Sequence, residues 1–214
     1  DQPFSEDMII YPRDTTFRGI PIGGIAGGVG SNIQRLYVGY QPYAFYVHKQ
    51  KYDENGQVLE DQVEDLNGDK VIDDKDLYLF KGRQPLYTIG FSSNMTWKSF
   101  DFSFAARSNI GQYMYNNVET DMGWLKRIGN NSGTLTNVHQ AAVDYNVEDQ
   151  SSLTFSDHYV RPATFLRVDH VTLGYNLSSL LKKNIRISAT VQNALVITNY
   201  TGLDPEQFSG IDNN

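Results

Sequence analysis

Leu86-Tyr87-Thr88-Ile89-Gly90-Phe91-Ser92-Ser93-Asn94-Met95-Thr96-Trp97, then Lys98-Ser99, then Phe100-Asp101-Phe102-Ser103-Phe104-Ala105-Ala106-Arg107, is the stretch whose reading decides the fold. Tyr87, Ile89, Phe91, Met95 and Trp97 share one face of an extended chain, interrupted only by Ser93, and Thr88, Gly90, Ser92, Asn94 and Thr96 share the other. After a tight turn the period of two resumes, with Phe100, Phe102, Phe104 and Ala106 set against Asp101, Ser103, Ala105 and Arg107. Two strands and a short turn predict a hairpin. A second hairpin of the same design follows: Val171, Leu173, Tyr175 and Leu177, a turn around residues 178–183, then Ile185, Ile187, Ala189, Val191 and Asn193.

Alternation alone suits a soluble sandwich as well as a barrel wall, because both have one apolar and one polar face. Three details favour the wall. The alternating runs last about 8 to 12 residues, longer than a usual globular strand and near what a tilted strand needs to cross a bilayer. Trp97 and Phe100 flank the turn, as an interfacial aromatic girdle requires. Short turns on one side face long polar loops on the other, the asymmetry of outer-membrane barrels. The alternative is a soluble, calcium-stabilised carbohydrate-binding β-sandwich, with Trp97, Trp124 and the tyrosines as a stacking platform.

Composition agrees with β-structure: 14 Tyr and 11 Phe against 2 Trp, with 18 Gly. The mean hydropathy of -0.45 does not exclude a membrane, since a barrel strand turns only alternate residues to lipid. A net charge of -7 argues against nucleic acid, which needs a basic stripe. The absence of Cys removes disulfide and thiol chemistry. Asp1-Gln2-Pro3-Phe4 lacks the basic and apolar regions of a signal peptide, so the expectation is a processed chain or one that begins within a longer protein.

Along the chain, residues 1–32 carry Pro3, Pro12, Pro21 and the Gly23–Gly30 run and read as a loop; the run lacks the ending of a phosphate loop. Residues 33–51 read as strand broken by Gly39 and Pro42, and Asn55-Gly56 as a hairpin turn. Residues 116–159 form a long polar connection with short helical segments near 121–128 and 137–145. His48, His139, His158 and His170 are scattered outside any hydrolase motif and read as surface or lumen residues, and neighbouring Asp169 and His170 should face opposite ways. No enzyme is expected.

The loop from Asp65 to Asp76 has oxygen donors at calcium-loop spacing: Asp65, Asn67 and Asp69, the Val71 carbonyl, Asp73 through water, and Asp76 closing the shell. Lys70 stands where an EF-hand has Gly, and Asp76 where it has Glu. The competing reading is an acidic surface turn without metal.

Val38-Gly39-Tyr40, Ala44-Phe45-Tyr46-Val47, Glu64-Asp65-Leu66-Asn67-Gly68-Asp69, Ile89-Gly90-Phe91, Phe165-Leu166-Arg167-Val168, Thr172-Leu173-Gly174-Tyr175, Val191-Gln192-Asn193 and Asn199-Tyr200-Thr201-Gly202-Leu203-Asp204-Pro205-Glu206 together resemble the C-terminal barrel portion of SusC/RagA-family TonB-dependent transporters. The resemblance covers nearly the whole chain, residues 1–214. It implies an all-β fold, an antiparallel transmembrane β-barrel segment belonging to a barrel of ~22 strands. It also implies import of glycan fragments or oligopeptides across a Gram-negative outer membrane, a SusD-like surface lipoprotein as lid, and energy from TonB, ExbB and ExbD through an N-terminal plug. Plug and final aromatic-ended strand are not recognisable in this sequence, and six to eight strands are expected, so the chain reads as a fragment completed by other barrel segments.

Overall fold

The structure is a computed structural model that describes residues 19–25, 28–129, 135–149, 153–177 and 185–206. It contains β1 (Ile20–Ile25), β2 (Gly28–Leu36), β3 (Ala44–His48), β4 (Gln50–Tyr52), β5 (Val58–Val63), β6 (Leu77–Gly82), β7 (Tyr87–Trp97), β8 (Phe100–Ile110), β9 (Tyr113–Tyr115), β10 (Val160–Pro162), β11 (Phe165–Asn176) and β12 (Arg186–Thr198). Two short helices interrupt them, α1 (Asn117–Met122) and α2 (Ala141–Asp144). Every strand pair is antiparallel, and no described helix is long and apolar enough to cross a membrane.

The wall is the four-stranded antiparallel sheet β7-β8-β11-β12, in which β9 and β10 form a separate pair along the chain between β8 and β11. Its registers carry the apolar residues onto one face: Phe91 opposite Ala106, Met95 opposite Phe102, Leu173 opposite Phe102 and Ala189, and Val171 opposite Phe104 and Val191. That face is bare. Phe91 is 59% exposed, Trp97 68%, Leu173 53% and Ile187 63%, values a sandwich interior does not allow. Among the described residues no second sheet covers it, which removes the sandwich alternative. The aromatic end stands as expected, with the Phe100 and Tyr175 rings 4.7 Å apart beside the Lys98-Ser99 turn. The turn expected at 178–183 lies outside the described residues.

Several expectations need correction. The Gly-rich run is not simply loop: β1 and β2 pair across it, Ile20 with Leu36 and Pro21 with Arg35, with an irregularity at Gly24 and Ile25. Among the described residues β1 stands at the edge of its sheet, the position at which a proline within a strand is tolerated. Among the described residues twelve strands form, eight of them in two four-stranded sheets and four in short pairs such as β4-β5 that build up the loops. Period-two parity also breaks once within the wall. Asp169 is an extra residue between Val168, opposite Ala106, and His170, opposite Ala105, and Asn193 in β12 takes a left-handed φ of 49° beside it. This bulge keeps Val168, Leu195 and Ile197 on the apolar face and brings Asp169 and His170 both to the polar side.

At the long-loop end, Ile33, Phe45, Val47, Val58, Tyr115, Val147, Leu153, Tyr159 and Val160 bury together. The 116–159 connection is therefore a packed cap rather than a polar tether: its few apolar residues are too widely spaced to show periodicity, yet tertiary contact gathers them. The expected helical segments shrink to α1, a 3-10 turn at Leu125–Gly129, and α2. His158 is also corrected, from surface to core, at 1% exposure.

Candidate functional site

The polar face of the wall is knit by charge. Arg186 forms a two-pronged ion pair with Asp101, its Nε donating at 3.0 Å, and the pair crosses directly over Gly174. A Cβ at Gly174 would come within 2.4 Å of the Asp101 oxygens, so the close approach requires glycine there. Thr172 and Thr190 hydroxyls meet at 2.9 Å on the same face. This alternation of paired charge and hydroxyl suits an aqueous lumen better than lipid.

Where the wall meets the loops, a second cluster clamps the segment after β12. Arg167 Nη2 donates to both Asp204 oxygens at 2.7 and 2.8 Å and its Nε lies 2.5 Å from Glu206, while Arg107 pairs with Asp169 at 3.0 Å and with Glu206. Buried Gln112 donates to the Pro205 carbonyl at 2.8 Å, and Asn116 to Thr201 at 3.0 Å. Asp204, Pro205 and Glu206 were visible in the sequence as part of a motif, but not as partners of Arg107 and Arg167. The signal available was an arginine on the polar face of each of two long strands, which needs an anion to stay there.

The cap holds a buried polar network. Glu119, 1% exposed, accepts from Arg161 Nε at 3.1 Å and from Asn116 at 3.0 Å, where Asn116 also N-caps α1. Tyr52 Oη sits 3.0 Å from His158 Nδ1, and Asp157 accepts from Tyr78 Oη at 2.6 Å and from the Gln50 N–H at 2.9 Å. Burial, helped by the Arg161 charge, pushes the His158 imidazole down to about 3, so it stays neutral. Asp157 and His158 thus each serve a tyrosine.

The Asp65–Asp76 loop is wound by its own side chains. Asp65 accepts from the Gly68 and Lys70 N–H groups at 2.7 and 2.8 Å, Asn67 from Asp69 and Asp69 from Val71, each at 2.8 Å. Asp76, fully buried, takes the N–H groups of Leu66 and Asp73 at 2.9 Å each, and Asp73 caps the following 3-10 turn through Lys75. The Asp73 N–H above all, with those of Leu66 and Asn67, outweighs desolvation and holds the Asp76 carboxyl below its usual range. Lys75 Nζ lies 3.2 Å from Asp73 and 3.8 Å from Asp69. Of the expected ligands, Asp65, Asn67, Asp69 and the Val71 backbone line one turn of the loop, whereas Asp76 is turned inward to brace it. Among the described residues no group of three or more His, Asp or Glu side chains converges as a ready metal site.

No family model matches the chain. It is 36% identical over 197 residues to the TonB-dependent receptor SusC of Bacteroides thetaiotaomicron, covering 89% of this chain and 20% of that protein. It is 26% identical over 163 residues to the TonB-dependent receptor P3 of Formosa agariphila, covering 70% of this chain and 16% of that protein. Among solved structures, that of the RagAB peptide transporter superposes with a TM-score of 0.52 at 22% identity, over 80% of this chain and 23% of that one. The open-open state of the RagAB peptide importer gives a TM-score of 0.54 at 21% identity, over 88% and 22%. The chain thus spans about a fifth of the length of its curated relatives, as its open-edged sheets would lead one to expect of one arc of a larger barrel. One bare apolar face, one ion-paired polar face and these relatives make the chain similar to a wall segment of the SusC/RagA-type TonB-dependent receptors.

Proposed function

We propose that this chain is part of the wall and extracellular cap of an outer-membrane importer that takes up glycan fragments or oligopeptides. The observation that carries the reading is the wall sheet, whose apolar face has no protein partner while its opposite face pairs Asp101 with Arg186 and Arg107 with Asp169. Lipid satisfies the first face and a wet lumen the second. The β7 and β12 edges call for further strands, since open edges in lipid leave N–H and C=O groups unpaired. A SusD-like surface lipoprotein as lid, and TonB, ExbB and ExbD acting on a plug, complete the proposal by analogy with the relatives.

The test is uptake by cells carrying the intact transporter gene, with and without TonB. TonB-dependent uptake, outer-membrane fractionation in detergent and co-purification of a surface lipoprotein are the expected results. A protein recovered in the soluble fraction without detergent would overturn the reading.

Calcium is proposed for the Asp65–Asp76 loop on donor chemistry: the side chains of Asp65, Asn67 and Asp69 accept N–H groups around one turn, the Val71 carbonyl and Asp73 would have to turn in with them, and a cation there would have to displace Lys75. Calorimetric titration of the intact transporter with calcium should give heat that disappears in Asp69→Asn; identical traces for the two proteins would reject the site.

A further inference from the structure

The chain has two Asn-Gly pairs, Asn55-Gly56 and Asn67-Gly68. Such a pair carries its own chemistry, because the glycine nitrogen, shielded by no side chain, can reach the asparagine Cγ through a five-membered ring. Two things gate that attack. The glycine N–H must leave its acceptor and lose its proton, and the asparagine amide must be free to turn its Cγ towards the nitrogen.

Sterics do not separate the two pairs: Gly56 and Gly68 have φ of 79° and 77°, each with open space where a Cβ would stand. Hydrogen bonds do. In the acidic loop the Gly68 N–H donates to the Asp65 carboxylate at 2.7 Å, a charge-assisted bond whose anion also opposes loss of the proton. Asn67 is tied at both ends of its amide, Oδ1 accepting the Asp69 N–H at 2.8 Å and Nδ2 donating to Asp69 Oδ2 at 3.1 Å. At the tip of the β4-β5 hairpin the Gly56 N–H donates instead to the Asp53 main-chain carbonyl, a neutral acceptor, at 3.1 Å. The Asp53 carboxylate is turned to the N–H groups of Asn55 and Gln57, at 2.9 and 2.7 Å. Asn55 is exposed, its Oδ1 accepts no hydrogen bond among the described residues, and its Nδ2 reaches Asp53 Oδ2 at 3.5 Å, the limit of such a contact.

We infer that Asn55 is a site of spontaneous deamidation, and that the bonds of the acidic loop protect Asn67 from the same reaction. Hydroxide takes the Gly56 N–H proton, the nitrogen lone pair forms a bond to Asn55 Cγ, and the tetrahedral adduct expels Nδ2, which takes a proton from water and leaves as ammonia. Water then opens the succinimide at either carbonyl to give aspartate or isoaspartate. In sum, one asparagine and one water yield one carboxylic acid and one ammonia. The chemistry is independent of the importer reading.

The product bears on the cap. Isoaspartate routes the main chain through Cγ, adding a carbon to a turn closed by the Gly56–Asp53 bond and by the Asp53 N–H on the Gln57 carbonyl at 2.9 Å. Either product sets a new carboxylate beside Asp53, and like charges repel. The next residues tie the hairpin to the cap: Gln57 Nε2 donates to the Asp144 carbonyl and the Val58 N–H to the Tyr145 carbonyl, both at 3.1 Å, with Val58 in the buried core. Loosening the tip loosens that seam.

The test ages the intact, detergent-purified transporter in mildly alkaline buffer, then digests it in acid, which halts the reaction, and follows the peptides containing Asn55 and Asn67 by mass spectrometry. Asn55→Gln is the control, since glutamine needs a six-membered ring that closes far more slowly. Asn55 should take on the mass of an acid roughly tenfold faster than Asn67, the scale that separates a neutral from a charged hydrogen bond, and faster still as pH rises. Hydrogen exchange at the Val58 amide should quicken in aged wild type and stay unchanged in aged Asn55→Gln. Equal rates at the two asparagines, or Asn67 ahead, would overturn the protection of Asn67, and no mass gain at Asn55 would overturn the site outright. Deamidation of Asn55 with Val58 exchange unaltered would overturn its effect on the cap.

Discussion

A single imidazole ties the cap to acidity. His158 is buried beside Arg161, Tyr145 and Tyr159, and its folded-state pKa of about 3 lies below the ordinary value of 6.5. Between those two values the unfolded chain binds a proton that the folded cap refuses, so stability falls as pH drops through that window and is flat above it. The steepest loss is about 1.4 kcal/mol per pH unit. Protection factors of cap amides in the intact transporter, corrected for the slowing of intrinsic exchange in acid, should fall between pH 6 and pH 4, and His158→Gln should flatten that dependence. An unchanged profile in the variant would assign the acid sensitivity elsewhere. No pattern in the sequence announced this residue, because burial of His158 depends on Tyr52, Tyr145 and Arg161, which lie far apart along the chain.

At the scale of the strand, what was legible in the sequence was whatever repeats every two residues. Tyr87 to Trp97 formed as read, and so did Phe100 to Arg107, whose strand runs on to Ile110, because each alternate residue makes the same demand of its environment. Within the described wall, parity failed where one residue was inserted, at Asp169, and nothing local marks that insertion. The β1-β2 hairpin was hidden for the opposite reason: its Gly and Pro content contradicts strand propensity, and pairing with a neighbour overrides it. The two faces of β11 make a sharp test. Leu173 points to the bare apolar side and Thr172 to the hydroxyl pair with Thr190. In the intact barrel refolded into lipid, Leu173→Arg should cost about 2–4 kcal/mol if it lies near the bilayer midplane. Thr172→Arg should cost much less, since its face is wet. Equal penalties in a urea titration would mean that both faces of the sheet are packed.

For the whole molecule, the question is how the wall and the folded cap act as one body. The described contacts answer with charge: the segment after β12 returns across the wall's outer end and is held by Arg107 and Arg167 through Asp204 and Glu206, while Gln112 and Asn116 bind the same segment from the cap side. Asp204 and Glu206 were legible as part of a motif, but their partners sit on β8 and β11, about 40 to 100 residues back along the chain, so only the closed register of the wall reveals the clamp. Arg167 is nearly buried, and removing it leaves Asp204 without its cation and Glu206 with Arg107 alone, a change that typically costs 3–5 kcal/mol where a buried pair is broken, and roughly half that where the anions keep partial contact with water. Arg167→Gln should therefore release residues 199–206 without unfolding the wall. Limited proteolysis of the intact transporter is the measurement: new cleavage between Tyr200 and Glu206, with the heat-resistant migration of the barrel retained, is expected. Protection equal to wild type would show that Gln112 and Asn116 suffice, and loss of the barrel itself would make Arg167 a wall residue first and a clamp second.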